Sequence, residues 1–140
     1  MAYWLIKSEP DVWSWAQQSA KGAKGEPWTG VRNHQAKLWL KDMRPGDRVF
    51  FYHSGKVKAV VGVAEVIKAA YADPSADEGA PWVCVDVKAI EPLKTEVSLK
   101  TIKAEEKLAE MMLVKNSRFS VQPVRADEWK LICKMGGVKG

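Results

Sequence analysis

The chain has 140 residues, 46% of them hydrophobic and 28% charged, which suits one globular domain with its own core. No apolar run approaches the roughly 20 residues that cross a bilayer, and the first residues lack the basic and apolar segments of a signal peptide. A formal net charge of +5 favours an anionic partner such as nucleic acid without establishing one. We expect a single domain over residues 1–140, monomeric, cytoplasmic and without a membrane partner.

The first half of the chain predicts strands separated by two helices. Ser14 and Gln17 have the spacing of a capping box, so a short helix should follow Ser14. Gly62 lies within a valine-rich strand and indicates a bulge or bend. The other predicted elements are a strand at Tyr3–Lys7, a helix at Gly30–Lys41, and strands at Arg48–His53 and Lys58–Ala70.

The second half predicts one more long strand and then a helical end. Polar and apolar residues alternate over Trp82–Ile90, with the valines on the core face. The remaining predicted elements are a helix at Ala104–Leu113, a strand at Phe119–Val124, and a helix at Asp127–Met135 capped by Gly136. Strands with helices at the periphery indicate an α+β domain, and we expect a mixed sheet curled into an open barrel.

The sequence predicts neither a metal nor a cofactor. Cys84 and Cys133 have no metal-ligand spacing and no disulfide framework, so we expect buried reduced thiols. His34 and His53 stand apart from any carboxylate spaced as a co-ligand. Seven tryptophans exceed what a small core needs, so one or two should lie at a binding surface.

Two polar segments in the first quarter are candidates for binding. Lys7, Ser8 and Glu9 follow the first strand, where a cleft could open, although an ordinary polar turn is an alternative. In Trp28–Asn33, the indole offers a flat face, Arg32 suits a phosphate or a base, and Asn33 suits a base edge. Thr29 or Gly30 would cap the helix that follows. The alternative is a core tryptophan, a capping asparagine and a solvated arginine.

Two further candidates lie at strand ends. His53 and Ser54 lie at the end of the predicted strand Arg48–His53, but neighbouring strand residues point to opposite faces and form a poor nucleophile–base pair. Alternation over Phe119–Val124 would place three polar side chains on one face, suited to a pocket wall or a phosphate track. Those side chains belong to Arg118, Ser120 and Gln122. A solvent-facing edge strand is the alternative.

Taken together, these segments resemble the EVE domain family. The motifs are Tyr3–Pro10, Trp28–Asn33, Phe51–Ser54 and Arg118–Pro123, and the likeness extends over the whole chain. It implies a PUA-like fold, related to YTH and ASCH domains, and a pocket that binds a modified base of DNA or RNA. The pocket residues that it implies are Lys7, Ser8, Glu9, Trp28, Val31, Arg32, Asn33, His53, Ser54, Arg118, Ser120 and Gln122.

The chain departs from the family pattern near this pocket. His34 stands where the family usually has tyrosine, and Lys37-Leu38 stand where Arg-Asn is common. Pro81-Trp82 replaces a pair of tryptophans. Of these positions, His34 and Leu38 change polarity beside the predicted pocket helix.

The resemblance favours non-catalytic recognition of a flipped base. In this hypothesis Trp28 stacks on the base, while Asn33, Ser8 or Ser120 contacts its polar edge. Arg32, Arg118 and Lys7 hold flanking phosphates. One alternative is a protein-interaction module. Another is an enzyme acting on nucleic acid, with Glu9 as general base assisted by His53 or Lys7.

Overall fold

The computed structural model describes residues 1–140 and contains a six-stranded mixed sheet flanked by five helices. The strands are β1 (Tyr3–Ser8), β2 (Glu26–Pro27), β3 (Arg48–His53), β4 (Ala59–Ala72), β5 (Val83–Ser98) and β6 (Val121–Val124). The helices are α1 (Trp15–Ala20), α2 (His34–Asp42), α3 (Leu99–Ala104), α4 (Met112–Lys115) and α5 (Ala126–Gly136). None of these helices is long and apolar enough to cross a membrane.

The strand order is β2-β5-β4-β3-β1-β6. β1 and β3 run parallel, whereas every other pair is antiparallel. The two edges, β2 and β6, do not pair with each other, so the sheet is not closed into a barrel. The predicted α+β class and mixed sheet are confirmed. Because Ser8 lies opposite His53, β1 and β3 end at the same edge of the sheet.

Both faces of the sheet are buried. Leu5 and Phe50 belong to a core that includes residues of α3, α4 and α5. Their neighbours Ile6 and Phe51 belong to a second core, which includes Ala36 of α2 and packs against α1. Successive strand residues point to opposite faces, so the central strands supply both cores at once.

Several predicted elements are confirmed. β1, β3 and β4 lie within two residues of the predicted bounds. In the capping box before α1, Ser14 Oγ accepts from Gln17 N (3.1 Å) and Gln17 Oε1 accepts from Ser14 N (2.8 Å). The two cysteines are free and buried.

The predicted start of α2 is wrong. The helix begins at His34, because the side chain of Asn33 caps it by accepting from Ala36 N (3.0 Å). Thr29 and Gly30 lie in the preceding loop. Within α2, Leu40 is buried and Leu38 is exposed.

The predicted helix at Ala104–Leu113 is also wrong. β5 continues to Ser98, whose hydroxyl accepts from Thr101 N (3.1 Å) and starts α3 there. Glu105 is extended and ends α3, and a single 3₁₀ turn separates it from α4. At the C-terminus Gly137, rather than Gly136, takes the left-handed conformation that ends α5, with φ of 74°.

Gly62 lies at an irregularity of the sheet, as predicted, and the register of both strand pairs shifts beside it. A Cβ at this position would lie 2.5 Å from the indole of Trp15. The glycine therefore lets α1 seat its tryptophan directly on β4.

Candidate functional site

A cleft of about 780 Å³ opens where β1 and β3 end, a size within the range of small-ligand sites. Its walls come from three segments, 7–13, 26–32 and 117–120, together with Ser54. The segment 7–13 leaves β1, the segment 26–32 joins β2 to α2, and the segment 117–120 leads into β6. We call this space the cleft.

Most of the predicted site residues line the cleft. The nine that do are Lys7, Ser8, Glu9, Trp28, Val31, Arg32, Ser54, Arg118 and Ser120. The structure does not bring Asn33, His53 or Gln122 into it.

The end of β1 is tied to the segment before β6. Lys7 Nζ donates to the carbonyl oxygen of Ser117, and Lys7 N donates to Ser120 O (2.9 Å). Burial lowers the pKa of the Lys7 amine. Ser54 N donates to Ser8 O (3.0 Å), which closes the floor between β1 and β3.

Trp28 is a core residue with one strip facing the cleft. Only 8% of its surface is exposed, and its ring packs edge-on against Phe51 with centroids 5.5 Å apart. Val31, 6% exposed, lies in the same core. The predicted role of Trp28 as a broad stacking face does not suit this burial, although the indole does form part of the wall.

Arg32 is held by a buried carboxylate. Its Nη1 lies 3.1 Å from Oδ2 of Asp73, a side chain with no exposed surface. The same oxygen accepts from Gly30 N (2.9 Å), and Asp73 Oδ1 accepts from the backbone and hydroxyl of Ser75 (2.7 and 2.6 Å). Burial alone would raise the pKa of Asp73, but these hydrogen bonds outweigh it and lower the pKa to about 2. Asp73 thus fixes the loop that forms one wall.

Asn33 and His53, two of the predicted site residues, lie outside the cleft and stabilise the helices next to it. Asn33 caps α2. His53 Nε2 accepts from Trp15 N (3.0 Å), which requires the neutral ring. Burial lowers the pKa of His53, partly opposed by Glu96. Because His53 points to α1, it forms no catalytic pair with Ser54 in the cleft.

Gln122 points inward rather than along a polar stripe. Its Nε2 donates to Asn116 O (3.1 Å) and Phe119 O (3.0 Å), while its buried Oε1 has no partner. β6 begins only at Val121, so the alternation predicted over Phe119–Val124 does not hold. Gln122 instead ties down the loop that carries Arg118.

The sequence analysis missed Trp13, the more accessible aromatic wall of the cleft. Trp13 is half-buried, and its Nε1 donates to Gln18 Oε1 (2.9 Å). Gln18 is fully buried and donates in turn to Val87 O (3.1 Å), which holds the indole in place. The excess of tryptophans indicated a surface aromatic ring, but no local motif identified which one.

The cleft combines apolar walls with a charged rim. Lys7, Arg32 and Arg118 carry positive charge, against the carboxylates of Glu9 and Glu26. Three or more metal-ligating side chains cluster nowhere in the chain. The geometry suits a flat, partly polar ligand with an anionic attachment.

The chain is a small α+β domain with a single mixed sheet and a cleft at one edge of that sheet. A match to the EVE domain model covers residues 2–135, and the chain belongs to the EVE domain family.

Several relatives share the whole domain. The chain is 32% identical to thymocyte nuclear protein 1 of Mus musculus, over 95% of this chain and 73% of that protein. Rpa0253 from Rhodopseudomonas palustris is 62% identical with a TM-score of 0.94, covering 100% of this chain and 96% of the other. The human THYN1 protein, solved in complex with 5-methylcytosine-containing DNA, is 29% identical with a TM-score of 0.90, and both chains are covered completely.

The fold is also shared with a YTH domain, as the resemblance implied. The YTH domain of Zygosaccharomyces rouxii MRB1, solved in complex with N6-methyladenosine RNA, superposes with a TM-score of 0.59 at 20% identity. The superposition covers 96% of this chain and 86% of the other, and it supports the shared fold alone.

Proposed function

We propose that this protein binds nucleic acid non-catalytically and takes one modified base, flipped from its strand, into the cleft. The observation that carries the proposal is the cleft itself, with an aromatic wall, hydroxyl groups and a charged rim of three cations and two carboxylates in one space of about 780 Å³. The complex of human THYN1 with 5-methylcytosine-containing DNA supports the same class of ligand.

Trp13 is the residue best placed to stack on the base. Its indole is held by Gln18 and is only half-buried, whereas Trp28 is almost fully buried. Stacking on an aromatic side chain contributes about 1–3 kcal/mol per base, which offsets the few kcal/mol that flipping costs. The strip of Trp28 beside Val31 then offers an apolar surface to a methyl group.

The rim supplies the polar contacts. Ser8 at the end of β1 and Ser120 directly before β6 both offer hydroxyls, and Glu9 can accept a hydrogen bond from an exocyclic amine. Arg118 is exposed and forms no ion pair, so it is free to contact a phosphate. Each phosphate contact of this kind makes binding sensitive to salt.

The arrangement of possible catalytic groups favours binding over catalysis. Glu9 is exposed, and His53 is engaged by Trp15 N outside the cleft. A general base needs contact with the reacting group, which His53 does not have in this position. The protein-interaction alternative would place a peptide rather than a base against Trp13.

A binding screen with paired oligonucleotides tests the proposal. DNA and RNA oligonucleotides carrying 5-methylcytosine or N6-methyladenosine, each with its unmodified parent, are titrated by fluorescence anisotropy. We expect at least one modified oligonucleotide to bind more tightly than its parent, and mass spectrometry to find it unchanged. Equal affinity across every pair would refute modified-base recognition, and chemical turnover would refute the non-catalytic assignment.

Trp13 variants locate the interaction. Trp13→Ala should weaken the preferred complex by about 1–3 kcal/mol, and Trp13→Phe should restore most of the loss because it keeps a flat ring. Trp28→Ala is a poor test, since removing a buried tryptophan costs about 3–5 kcal/mol of stability.

A further inference from the structure

A group of aromatic and cationic side chains, exposed at Arg32 and His34 and half-buried at Lys37 and Trp82, lies beside the cleft. Trp82 precedes β5, and the imidazole of His34 packs on it with ring centroids 4.8 Å apart and planes inclined by 34°. The guanidinium of Arg32 and the ammonium of Lys37 each lie 5.8 Å from the centre of the Trp82 ring. We call these four residues the Trp82 ledge.

The ledge is continuous with the cleft through Arg32, which belongs to both. Asp73, whose carboxylate holds Arg32, also anchors Trp82, because the carbonyl oxygen of Trp82 accepts from Asp73 N (3.0 Å). A ligand that leaves the cleft past Arg32 therefore meets the ledge next.

The ledge offers one open ring face. Trp82 covers one side of the His34 imidazole, and His34 is exposed, so its other side faces solvent. A base stacked there would continue the indole–imidazole stack. Aromatic side chains accept bases of any sequence in this way.

The ledge also offers free N–H donors on two cationic side chains. Lys37 Nζ lies 3.2 Å from His34 Nδ1 and forms no ion pair. Arg32 uses both Nη1 hydrogens and one Nη2 hydrogen within the protein, which leaves Nε–H and one Nη2–H without a protein partner. Asp77 and Glu78, in the loop before Trp82, pair with neither cation. Phosphate is the anion that a guanidinium fork and an ammonium group bind together.

We propose that the Trp82 ledge binds the nucleotide next to the flipped base, with its base on His34 and its phosphate between Lys37 and Arg32. This proposal rests on the proposed function, since it assumes that a base occupies the cleft. It assigns the cleft to recognition of the modification, and the ledge to sequence-independent affinity for the flanking strand.

Lys37→Gln and His34→Ala test the proposal, with a matched control for the first and a conservative variant for the second. Lys37→Gln should lower the slope of log affinity against log salt by about 0.7 for single-stranded DNA, the loss expected for one phosphate contact. Lys130→Gln changes an exposed lysine of α5, on the opposite face of the sheet, and should leave that slope unchanged. His34→Ala should weaken oligonucleotide binding about tenfold, and His34→Tyr should retain the affinity because the ring remains.

The choice of probe separates this proposal from the proposed function. Single-stranded DNA containing 5-methylcytosine spans both cleft and ledge, whereas 5-methyldeoxycytidine monophosphate reaches only the cleft. Lys37→Gln and His34→Ala should weaken binding of the oligonucleotide. They should leave unchanged both the affinity for the mononucleotide and the ratio of the affinities for modified and unmodified oligonucleotide. If the wild type prefers the modified oligonucleotide but Lys37→Gln and His34→Ala bind it with wild-type affinity and salt dependence, the ledge proposal fails and the proposed function stands. If the wild type binds no oligonucleotide, both fail.

Discussion

Asp73 and Gly30 are joined across the wall of the cleft by a hydrogen bond of 2.9 Å, from the glycine amide to a carboxylate oxygen that also holds Arg32. Gly30 has a φ of 88°, a left-handed conformation that side chains rarely adopt. The carboxylate of Asp73 therefore holds the segment from Gly30 to Arg32, which forms one wall of the cleft, in a single conformation.

Asp73→Asn should loosen this wall and weaken nucleic-acid binding beyond its effect on stability. The matched control is Asp47→Asn, because Asp47 is also buried and accepts from Ala2 N, Trp4 Nε1 and Arg44 N far from the cleft. Both variants should lower the melting temperature. Affinity, measured where each variant is folded, should fall only for Asp73→Asn. A parallel loss in both variants would mean that Asp73 acts through general stability alone.

Asp73 should also contribute to stability in a defined acid window. Its folded pKa of about 2 lies below the ordinary value of 3.8, so the unfolded chain binds the proton more readily. The contribution, about 2 kcal/mol, is full above about pH 5 and is lost progressively between about pH 5 and about pH 1. Urea unfolding between these pH values measures it. Asp73→Asn should show a smaller loss over this window than the wild type, and an equal loss would contradict the assignment.

Asn33→Ala should reduce stability without changing the preference for the modified base. The side chain caps α2 and stands outside the cleft, and loss of such a cap costs about 0.5–2 kcal/mol. Asn33→Ser keeps a capping oxygen and should restore most of the stability. If Asn33→Ser is stable yet loses base preference, Asn33 contacts the base as the sequence hypothesis held.

Gly62→Ala should destabilise the fold by about 1–3 kcal/mol, because the added methyl group meets the ring of Trp15 at 2.5 Å. Thermal unfolding monitored by circular dichroism measures the cost. In the double variant with Trp15→Leu, the alanine should cost less than it does in the wild type. If the free-energy cost in the double variant equals the sum of the costs in the two single variants, the two positions are not in direct contact.

The sequence predicted most of the sheet because its central strands carry strong local signals. Tyr3–Lys7 and Arg48–His53 are short apolar runs next to polar strand ends, and their parallel pairing brings those ends into one cleft. The helix starts were harder to predict. Asn33 caps α2 where Thr29 or Gly30 was expected, and Ser98 starts a helix that was predicted to begin at Ala104.

Parts of the site depend on distant contacts that no local pattern encodes. Asp73 lies 43 positions from Gly30, and the sequence assigned it no role. Trp13 is held by Gln18 and, through it, by Val87, so its place in the wall emerges only on folding. Gln122 had the right spacing for a polar stripe with Arg118 and Ser120. However, β6 begins only at Val121, so those two residues lie outside the strand and the alternation does not include them.

The measurement that tests the central claim most directly is isotope-filtered NMR on a complex with DNA whose 5-methylcytosine carries a ¹³C-labelled methyl group. A base seated in the cleft should give intermolecular NOEs from that methyl group to Trp13 and Val31, with a ring-current shift of the methyl resonance. The Trp13→Ala complex should lose that shift. A bound complex in which the methyl group shows no NOE to any cleft residue would contradict the account.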